Sequence, residues 1–194
     1  MNRLLTLCLL LFATALLVQA ETAENRPLRP FIGLGLTFGG ETIATVHYTD
    51  GSSSDLSSGG LFAGQVGLDY RSPDAPVSVR VSVGYQGDTT DDASNGSLSF
   101  DRIPVDVLGF YHLNKQWRVG GGLQYVIDPE VKGEGVASPL STTFDNTLGV
   151  VVEGEYLLDP HIGLALRGVG EQFKAPGGAS INGSHVGAFV NYYF

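Results

Sequence analysis

The chain has 194 residues and carries 20 Asp and Glu against 11 Lys and Arg, which gives a formal net charge of −9. An acidic chain has no electrostatic attraction for nucleic acid or for anionic lipid headgroups, so a nucleic-acid-binding function is excluded. The length suits one domain, and 27 glycines with almost no helix-favouring run indicate an all-β protein.

The first twenty residues have the pattern of a secretory signal peptide. A short basic start, Met1–Arg3, precedes the apolar run Leu4–Val18, and small residues close the segment at Ala20. We therefore predict a signal peptide over residues 1–20, cleaved after Ala20. A retained transmembrane helix is the alternative, but the run is short for a bilayer. Cleavage would change the formal charge to −10 by removing Arg3, and it would remove the single cysteine, Cys8. The exported chain would then hold no disulfide, no cysteine metal site and no cysteine nucleophile.

Residues 21–28 are predicted to form a polar periplasmic arm, and residues 29–194 a single domain of alternating strands. Each strand places apolar side chains on one face and small or polar side chains on the other, with a period of two. The cleanest example is the third strand, in which Val79, Val81 and Val83 alternate with Arg80 and Ser82. The eight strands are predicted at Phe31–Phe38, Leu61–Arg71, Val77–Gln86, Leu98–Leu113, Trp117–Ile127, Thr143–Leu158, Ile162–Phe173 and Ile181–Phe194.

The connections between these strands alternate in length. Those after the second, fourth and sixth strands are short, whereas the others are longer and rich in Gly, Ser, Thr and Asp. Even strand number, short periplasmic turns and longer surface loops are typical of bacterial outer-membrane barrels. Closure removes the sheet edges that lipid cannot satisfy. The pattern predicts an eight-stranded antiparallel up-and-down transmembrane β-barrel. The surface loops are predicted at residues 39–60, 87–97, 128–142 and 174–180.

The first predicted loop continues to alternate. Residues 41–48 read as an extension of the first strand above the membrane, returning through residues 53–60 as a β-hairpin. The exposed edge of such a hairpin either binds a partner strand by β-augmentation or belongs to a rigid loop without a partner. The first three loops are net acidic, which favours cationic or divalent-bridged partners.

Charged residues of both signs fall on the face opposite the apolar one. The interior of an eight-stranded barrel is just wide enough for side chains to fill it, so charges there must be paired. The predicted interior ion-pair network joins Arg80, Arg118 and Arg167 to Asp69, Asp106, Glu153, Glu155 and Glu171. We expect Gln65, Gln124 and His112 to fill gaps. The sequence leaves open which acid meets which arginine.

A soluble alternative is a periplasmic β-sandwich or a lipocalin-like cup, in which the apolar face is buried and the polar face is exposed. Two features weigh against this alternative. Charges of both signs lie at mid-strand on the polar face, and the chain closes on an alternating apolar segment that a soluble fold does not need. Its apolar face is formed by Val186, Ala188, Val190, Tyr192 and Phe194.

That ending resembles the C-terminal assembly signal of bacterial outer-membrane barrels, in which a terminal Phe follows alternating hydrophobic residues. With the signal peptide and the eight strands, the chain resembles the small outer-membrane β-barrel group that includes the OmpA transmembrane domain, OmpX and the opacity proteins. The resemblance implies a monomer in the outer membrane of a Gram-negative bacterium. It also implies contact with outer-membrane lipid and lipopolysaccharide, and insertion by the barrel assembly machinery.

Candidate chemistry is sparse. Ser184 and His185 are adjacent, so their side chains point to opposite faces and do not form a nucleophile–base pair, although Glu171 can approach His185 across the ladder. Histidines lie apart, and the acidic loop at residues 88–96 lacks the spacing of a calcium loop. We predict no catalytic, cofactor or metal site. The predicted function is a structural or surface-interaction barrel with a plugged interior. A small channel for ions or hydrophobic solutes and a lipid A-modifying enzyme are the alternatives.

Overall fold

In the computed structural model, the described residues are 27–47, 53–90, 96–135, 137–175 and 177–194. The predicted signal peptide and residues 21–26 of the predicted arm lie outside the described residues. Within the described ranges, no helix is long and apolar enough to cross a membrane.

Within the described ranges, almost all of the regular structure is β-strand, and a short 3₁₀ turn lies at Ser138–Leu140. The strands are β1 (Leu28–Gly39), β2 (Thr42–His47), β3 (Ser53–Ser57), β4 (Phe62–Arg71), β5 (Val77–Thr89), β6 (Gly96–His112), β7 (Trp117–Gly135), β8 (Thr142–Thr143), β9 (Thr147–Leu157), β10 (Ile162–Gly170), β11 (Gln172–Lys174), β12 (Ser180–Asn182) and β13 (His185–Tyr193).

Eight of these strands close into an antiparallel barrel. The order is β6-β5-β4-β1-β13-β10-β9-β7, and a further pairing of β6 with β7 completes the ring. The first and last barrel strands pair over nine residues, from Phe31 opposite Tyr193 to Gly39 opposite His185. The predicted fold class is therefore confirmed. The short turns after β4, β6 and β9 mark the periplasmic end.

The alternation of side chains gives the barrel an apolar outside and a polar inside. Val152 and Leu166 point outward and are 67% and 72% exposed, whereas Arg80, Arg118 and Glu155 point inward and are 0% exposed. This polarity is the reverse of a water-soluble sandwich, whose apolar side chains face inward. It suits a wall whose outer surface contacts lipid.

Above the barrel the polarity reverses. Inward-facing side chains of the upper strand ends form an apolar core with the two short hairpins, and charged side chains face outward. We call this part the cap: β2, β3, β8, β11 and β12, the upper ends of β5, β6 and β7, and the segments at residues 40–41 and 144–146 that connect the cap to the barrel. Its buried core is Leu56, Leu98, Phe100, Val126, Val131, Phe144 and Phe173. The predicted first-loop hairpin is present, with β2 paired to β3.

For several strands, the predicted boundary at the upper end was wrong. The fifth predicted strand ends at Ile127, but β7 continues to Gly135 because a bulge at Asp128, whose φ is 48°, lets the ladder with β6 resume. The sixth predicted strand begins at Thr143, but β9 begins at Thr147. The seventh and eighth break at Glu171 and after Asn182 respectively.

A shared packing requirement explains these breaks. Phe144 and Phe173 pack into the cap core, so the chain leaves the barrel ladder near both residues. The segment Gln172–Lys174 accordingly pairs with β12 and forms a separate hairpin.

Candidate functional site

The periplasmic half of the lumen holds a compact group of ion pairs. The guanidinium of Arg80 lies 2.6 Å from Glu153 Oε1 and 2.9 Å from Glu155 Oε2. Arg118 donates to Asp69 Oδ1 at 2.7 Å and to Glu155 Oε2 at 2.5 Å. Arg118 thus bridges carboxylates on β4 and β9, and Arg80 reaches from β5 across the lumen to two carboxylates on β9, so both arginines tie separate walls of the barrel together.

The Tyr193 hydroxyl lies at the centre of this group. It accepts hydrogen bonds from both Arg80 and Arg118, and it donates to Glu155 Oε1 at 2.7 Å. Rings also stack against the cations, since the Arg80 guanidinium lies 4.8 Å from the Phe31 ring centre and 4.7 Å from that of Phe110. Such contacts stabilise a desolvated cation in addition to its ion pairs.

The middle of the lumen continues the same pattern. Arg167 lies 2.7 Å from Glu153 Oε2 and 2.8 Å from Asp106 Oδ2, and it donates to Gln65 Oε1 at 3.3 Å. Gln124 donates to Asp106 Oδ1 at 2.9 Å. The structure therefore brings together three predicted arginines and four predicted acids, with Gln65 and Gln124 between them. His112 lies at the periplasmic end, where Nε2 contacts Ser78 Oγ at 3.0 Å.

Glu171 does not join this group. Its Oε1 lies 2.9 Å from Arg102 Nη1 and 3.5 Å from His185 Nδ1, in a separate layer beneath the cap. Arg102 also donates to the carbonyls of Ser58 and Gly59 at 2.7 and 3.0 Å. This layer fixes the base of the β2–β3 hairpin across the mouth of the barrel.

Two interior arginines were missed in the sequence prediction. Arg29 pairs with Asp69 at 2.9 Å, and Arg102 pairs with Glu171. The alternation of the strands could have identified both arginines. Arg29 is two positions from the inward-facing Phe31, and Arg102 is four positions from the inward-facing Asp106, so each lies on the inner face. With them the buried charges balance. The interior arginines are Arg29, Arg80, Arg102, Arg118 and Arg167, and the interior acids are Asp69, Asp106, Glu153, Glu155 and Glu171.

The cap carries a clear excess of negative charge. Its described carboxylates are Glu41, Asp55, Asp88, Asp101, Asp128, Glu130, Glu134 and Asp145, against the two lysines Lys132 and Lys174. Lys132 donates to Glu130 and lies near Asp101, which raises the pKa of its ammonium group. Because the interior is balanced, the net charge of the barrel domain resides mainly on the cap.

The residues of the predicted assembly signal line the outer face of β13. Val186 and Val190 are exposed towards the membrane, as is Tyr192. The rings of Tyr192 and Phe194 pack edge to face, 5.0 Å apart, and Phe194 N donates to the Pro30 carbonyl at 3.0 Å. Together with Trp117 and Tyr156, whose rings lie 4.9 Å apart, they place aromatic side chains at the periplasmic rim.

The described part of the chain contains no group of three or more His, Cys, Asp or Glu side chains arranged to hold a metal ion. Among the described cavities, the interior one lies between Gln65, Gln86, Gln124 and Arg167 and has a volume of ≈ 10 Å³. The paired charges and stacked rings that surround it support the barrel from within.

An apolar outer wall, a closed ladder and a balanced, buried set of charges define an integral outer-membrane β-barrel protein. The sequence agrees, since the outer membrane protein beta-barrel domain family matches residues 6–194. The chain belongs to this family, and the predicted outer-membrane location follows from it.

Two solved barrels have a similar fold. Neisserial surface protein A is 13% identical, with a TM-score of 0.55 over 87% of this chain and 98% of its own. The attachment invasion locus protein Ail of Yersinia pestis, solved with the heparin analogue sucrose octasulfate, is 10% identical, with a TM-score of 0.56 over 86% of this chain and 96% of its own. At these identities the likeness concerns the fold alone. Among curated proteins, none matches the sequence.

Proposed function

We propose that this protein is a monomeric surface-interaction barrel, which presents a rigid, acidic cap on the cell surface above a plugged interior. Its proposed partners are cationic surfaces or polycations, with outer-membrane lipid and lipopolysaccharide around the wall. The observation that carries the proposal is the distribution of charge. Arginines and acids cancel inside, whereas acids dominate outside.

The filled lumen argues against conduction. Arg80, Arg118 and Glu155 are fully buried and cross the lumen, and Arg102 closes the next layer up. An ion moving along the axis would have to break several short ion pairs at once. Breaking even one buried pair costs about 3–5 kcal/mol.

Packing argues for a rigid cap. Leu56 of β3 is fully buried in the apolar core of the cap, and Ser57 N donates to Asp88 Oδ2 at 2.9 Å. On the other side, the backbone carbonyl of Asn182 accepts a hydrogen bond from Ser58 Oγ at 2.7 Å. The backbone N–H of Asn182 donates to Glu41 Oε2 at 3.1 Å. A partner therefore meets a preformed surface, which lowers the entropic cost of binding.

The sign of the cap charge selects the partner. Sucrose octasulfate, which is bound in the Ail structure, is a polyanion. The acidic cap of this protein would repel such a ligand, whereas it attracts a polycation. The arrangement also gives little support to lipid A modification. His185 points into the lumen against Glu171 and Arg102, where its contacts are structural.

The test uses purified protein in nanodiscs of neutral phosphatidylcholine, with poly-L-lysine and sucrose octasulfate as probes. We expect salt-sensitive binding of poly-L-lysine and no binding of the sulfate. The triple variant Asp128→Asn, Glu134→Gln and Asp145→Asn removes exposed cap charges, and it should weaken poly-L-lysine binding about tenfold. Asp74→Asn with Asp159→Asn, at the periplasmic turns, is the matched control and should leave binding unchanged.

Three results would overturn the proposal. The first is equal loss of binding in the cap variant and the periplasmic control. The second is preference for sucrose octasulfate over poly-L-lysine. The third is stepwise conductance of the purified protein in planar bilayers, which would support the channel instead.

A further inference from the structure

The ladder between β5 and β6 is interrupted near the upper edge of the membrane-spanning wall. It runs in one register from Val77 opposite Tyr111 to Val83 opposite Val105, and it resumes at Gln86 opposite Arg102. Between these points Gly84 and Tyr85 have no ladder partner on β6. The interruption lies inside two continuous strands, so it is a local weakness of the wall.

Proline and glycine produce this interruption. Pro104 stands opposite Gly84 in the register and has no backbone N–H, so the ladder hydrogen bond that this position would donate is absent. Gly84 fits the site because a Cβ there would lie 3.3 Å from Pro104 Cγ and 2.7 Å from the Gly64 carbonyl oxygen. The two strands thus stay adjacent, but one of the hydrogen bonds between them is missing.

The other side of β6 is perturbed at the same level. In the ladder with β7, Asp101 faces Glu130 but Ile103 faces Ile127, so Arg102 alone stands opposite Asp128 and Pro129. This bulge loosens the second ladder of β6 immediately beside the first interruption. Within the segment Arg102–Pro104, one residue thus lacks a regular partner on β7 and another lacks its hydrogen bond to β5.

The interior cavity lies directly behind this segment. It is lined by Gly84, Gln86 and Pro104 along the interrupted part of the β5–β6 ladder, which we call the seam, by Gln124 on the neighbouring strand β7, and by Arg167 from across the lumen. Its volume of ≈ 10 Å³ is about that needed for one water molecule. Gln124 is 2% exposed, and its Oε1 has no hydrogen-bond donor among the described residues. A buried acceptor of this kind favours a guest that donates a hydrogen bond.

The seam also lies where water is available. Tyr85 points outward and donates its hydroxyl to Asp101, and Lys132 lies 3.5 Å from the same carboxylate. Charged outward side chains at this height mark the boundary between lipid and water. The axial routes to the cavity are occupied by the Arg102 layer above and the Arg80 layer below.

We propose that the barrel wall opens locally at the β5–β6 seam and admits water, or a donor group of similar size, sideways to Gln124 in the interior cavity. The site goes beyond the proposed surface function and does not depend on it. Its ligand is a small hydrogen-bond donor, because the cavity is small and the free atom is an acceptor.

The test measures amide hydrogen exchange by NMR on the refolded protein in detergent micelles. The hydrogen bond missing from this pair is the one that would end on the Gly84 carbonyl, and the Gly84 amide still faces the Pro104 carbonyl. Because this pair is held from one direction only, we expect the Gly84 amide to exchange about tenfold faster than those of Ser82 and Gln86, whose pairs with β6 are complete. Pro104→Ala restores the donor and should bring Gly84 close to its neighbours. Magnetisation transfer from water to the Gln124 side-chain amide should be present in the wild type.

A disulfide across the seam gives the matched control. In a Cys8→Ser background, Tyr85→Cys with Ile103→Cys should slow the exchange of Gly84 on oxidation relative to the reduced form. Val81→Cys with Val107→Cys, lower on the same ladder, should leave it unchanged. Equal protection of Gly84 and Ser82 in the wild type would overturn the proposal even if a variant fails to fold. Absence of water transfer to Gln124 would overturn it too.

Discussion

Replacement of Arg80 by methionine tests the interior network most directly. Methionine has a similar reach and keeps most of the apolar stem, but it removes the contacts to Glu153, Glu155 and Tyr193. Glu153 keeps Arg167 and Glu155 keeps Arg118, so neither carboxylate is left without any partner. The interior nevertheless gains one uncompensated negative charge.

Breaking a buried pair from one side costs about 3–5 kcal/mol, and we expect Arg80→Met to lower the free energy of unfolding by that amount. The double variant Arg80→Met, Glu153→Gln restores charge balance and should recover about 1–2 kcal/mol relative to the single variant. Arg71 forms no ion pair with another described residue, so Arg71→Met should change stability by less than about 0.5 kcal/mol.

The assay is equilibrium urea unfolding in lipid vesicles, followed by the fluorescence of Trp117, the single tryptophan of the chain, which faces the lipid near the periplasmic rim. A loss below about 1 kcal/mol for Arg80→Met would refute the reasoning, because the charges would then be solvated rather than buried. A double variant as unstable as the sum of its single variants would refute the balance argument.

Three further predictions concern the wall, the cap and assembly. Val152→Arg places a charge on the lipid face and should cost about 2–4 kcal/mol in vesicles, whereas Ser97→Arg on the outer face of the cap should cost under about 1 kcal/mol; equal costs would contradict the assigned membrane position. Leu56→Ala should destabilise the cap core by about 2–5 kcal/mol, seen as faster proteolysis of the cap while the barrel resists, and unchanged cleavage would count against a packed cap. Deletion of Phe194 should reduce insertion in cells but leave refolding in detergent unchanged, as measured by heat-modifiable mobility on gels; normal insertion would remove the assembly role.

The membrane-spanning part of the barrel could be predicted because the period-two pattern has one interpretation there. Val77–Val83 and the outer face of β13 are apolar at every second position, and no soluble packing needs such a continuous outer face. The first residues predicted for the strands that follow periplasmic turns were accurate for the same reason. For example, Trp117 and Ile162 follow short turns and begin β7 and β10 as predicted.

The upper part was less predictable because alternation alone does not say which solvent each face meets. Leu98, Phe100 and Val131 alternate like membrane-facing residues, but they point inward and bury the cap core. The β11–β12 hairpin arises from packing of Phe173 against Phe100, a contact between residues 73 positions apart in the chain. No local signal encodes such a contact.

Pairing inside the lumen shows the same limit. In two of the ion pairs the residues are direct neighbours in the strand register, which therefore determines the pairing: Arg118 with Glu155 in the β7–β9 ladder, and Arg167 with Glu153 in the β9–β10 ladder. Arg80 instead reaches Glu153 and Glu155 across the lumen from β5 to β9. Which carboxylates Arg80 contacts depends on the barrel diameter and on the side chains that lie between β5 and β9, and the alternation pattern specifies neither.

The reversal of polarity along β6 and β7 locates the membrane boundary. Below it Ile103 and Tyr125 face outward and Arg102 faces inward, whereas above it Asp101 and Lys132 face outward and Phe100 faces inward. At this level the outer face changes from apolar to polar and the inner face from polar to apolar. Such a wall is stable only if lipid surrounds the lower part and water the upper part. The Pro104 interruption and the Asp128 bulge lie at that level. The loosest part of the wall therefore lies where water can satisfy a freed backbone group, and the lipid-embedded ladders below it stay complete.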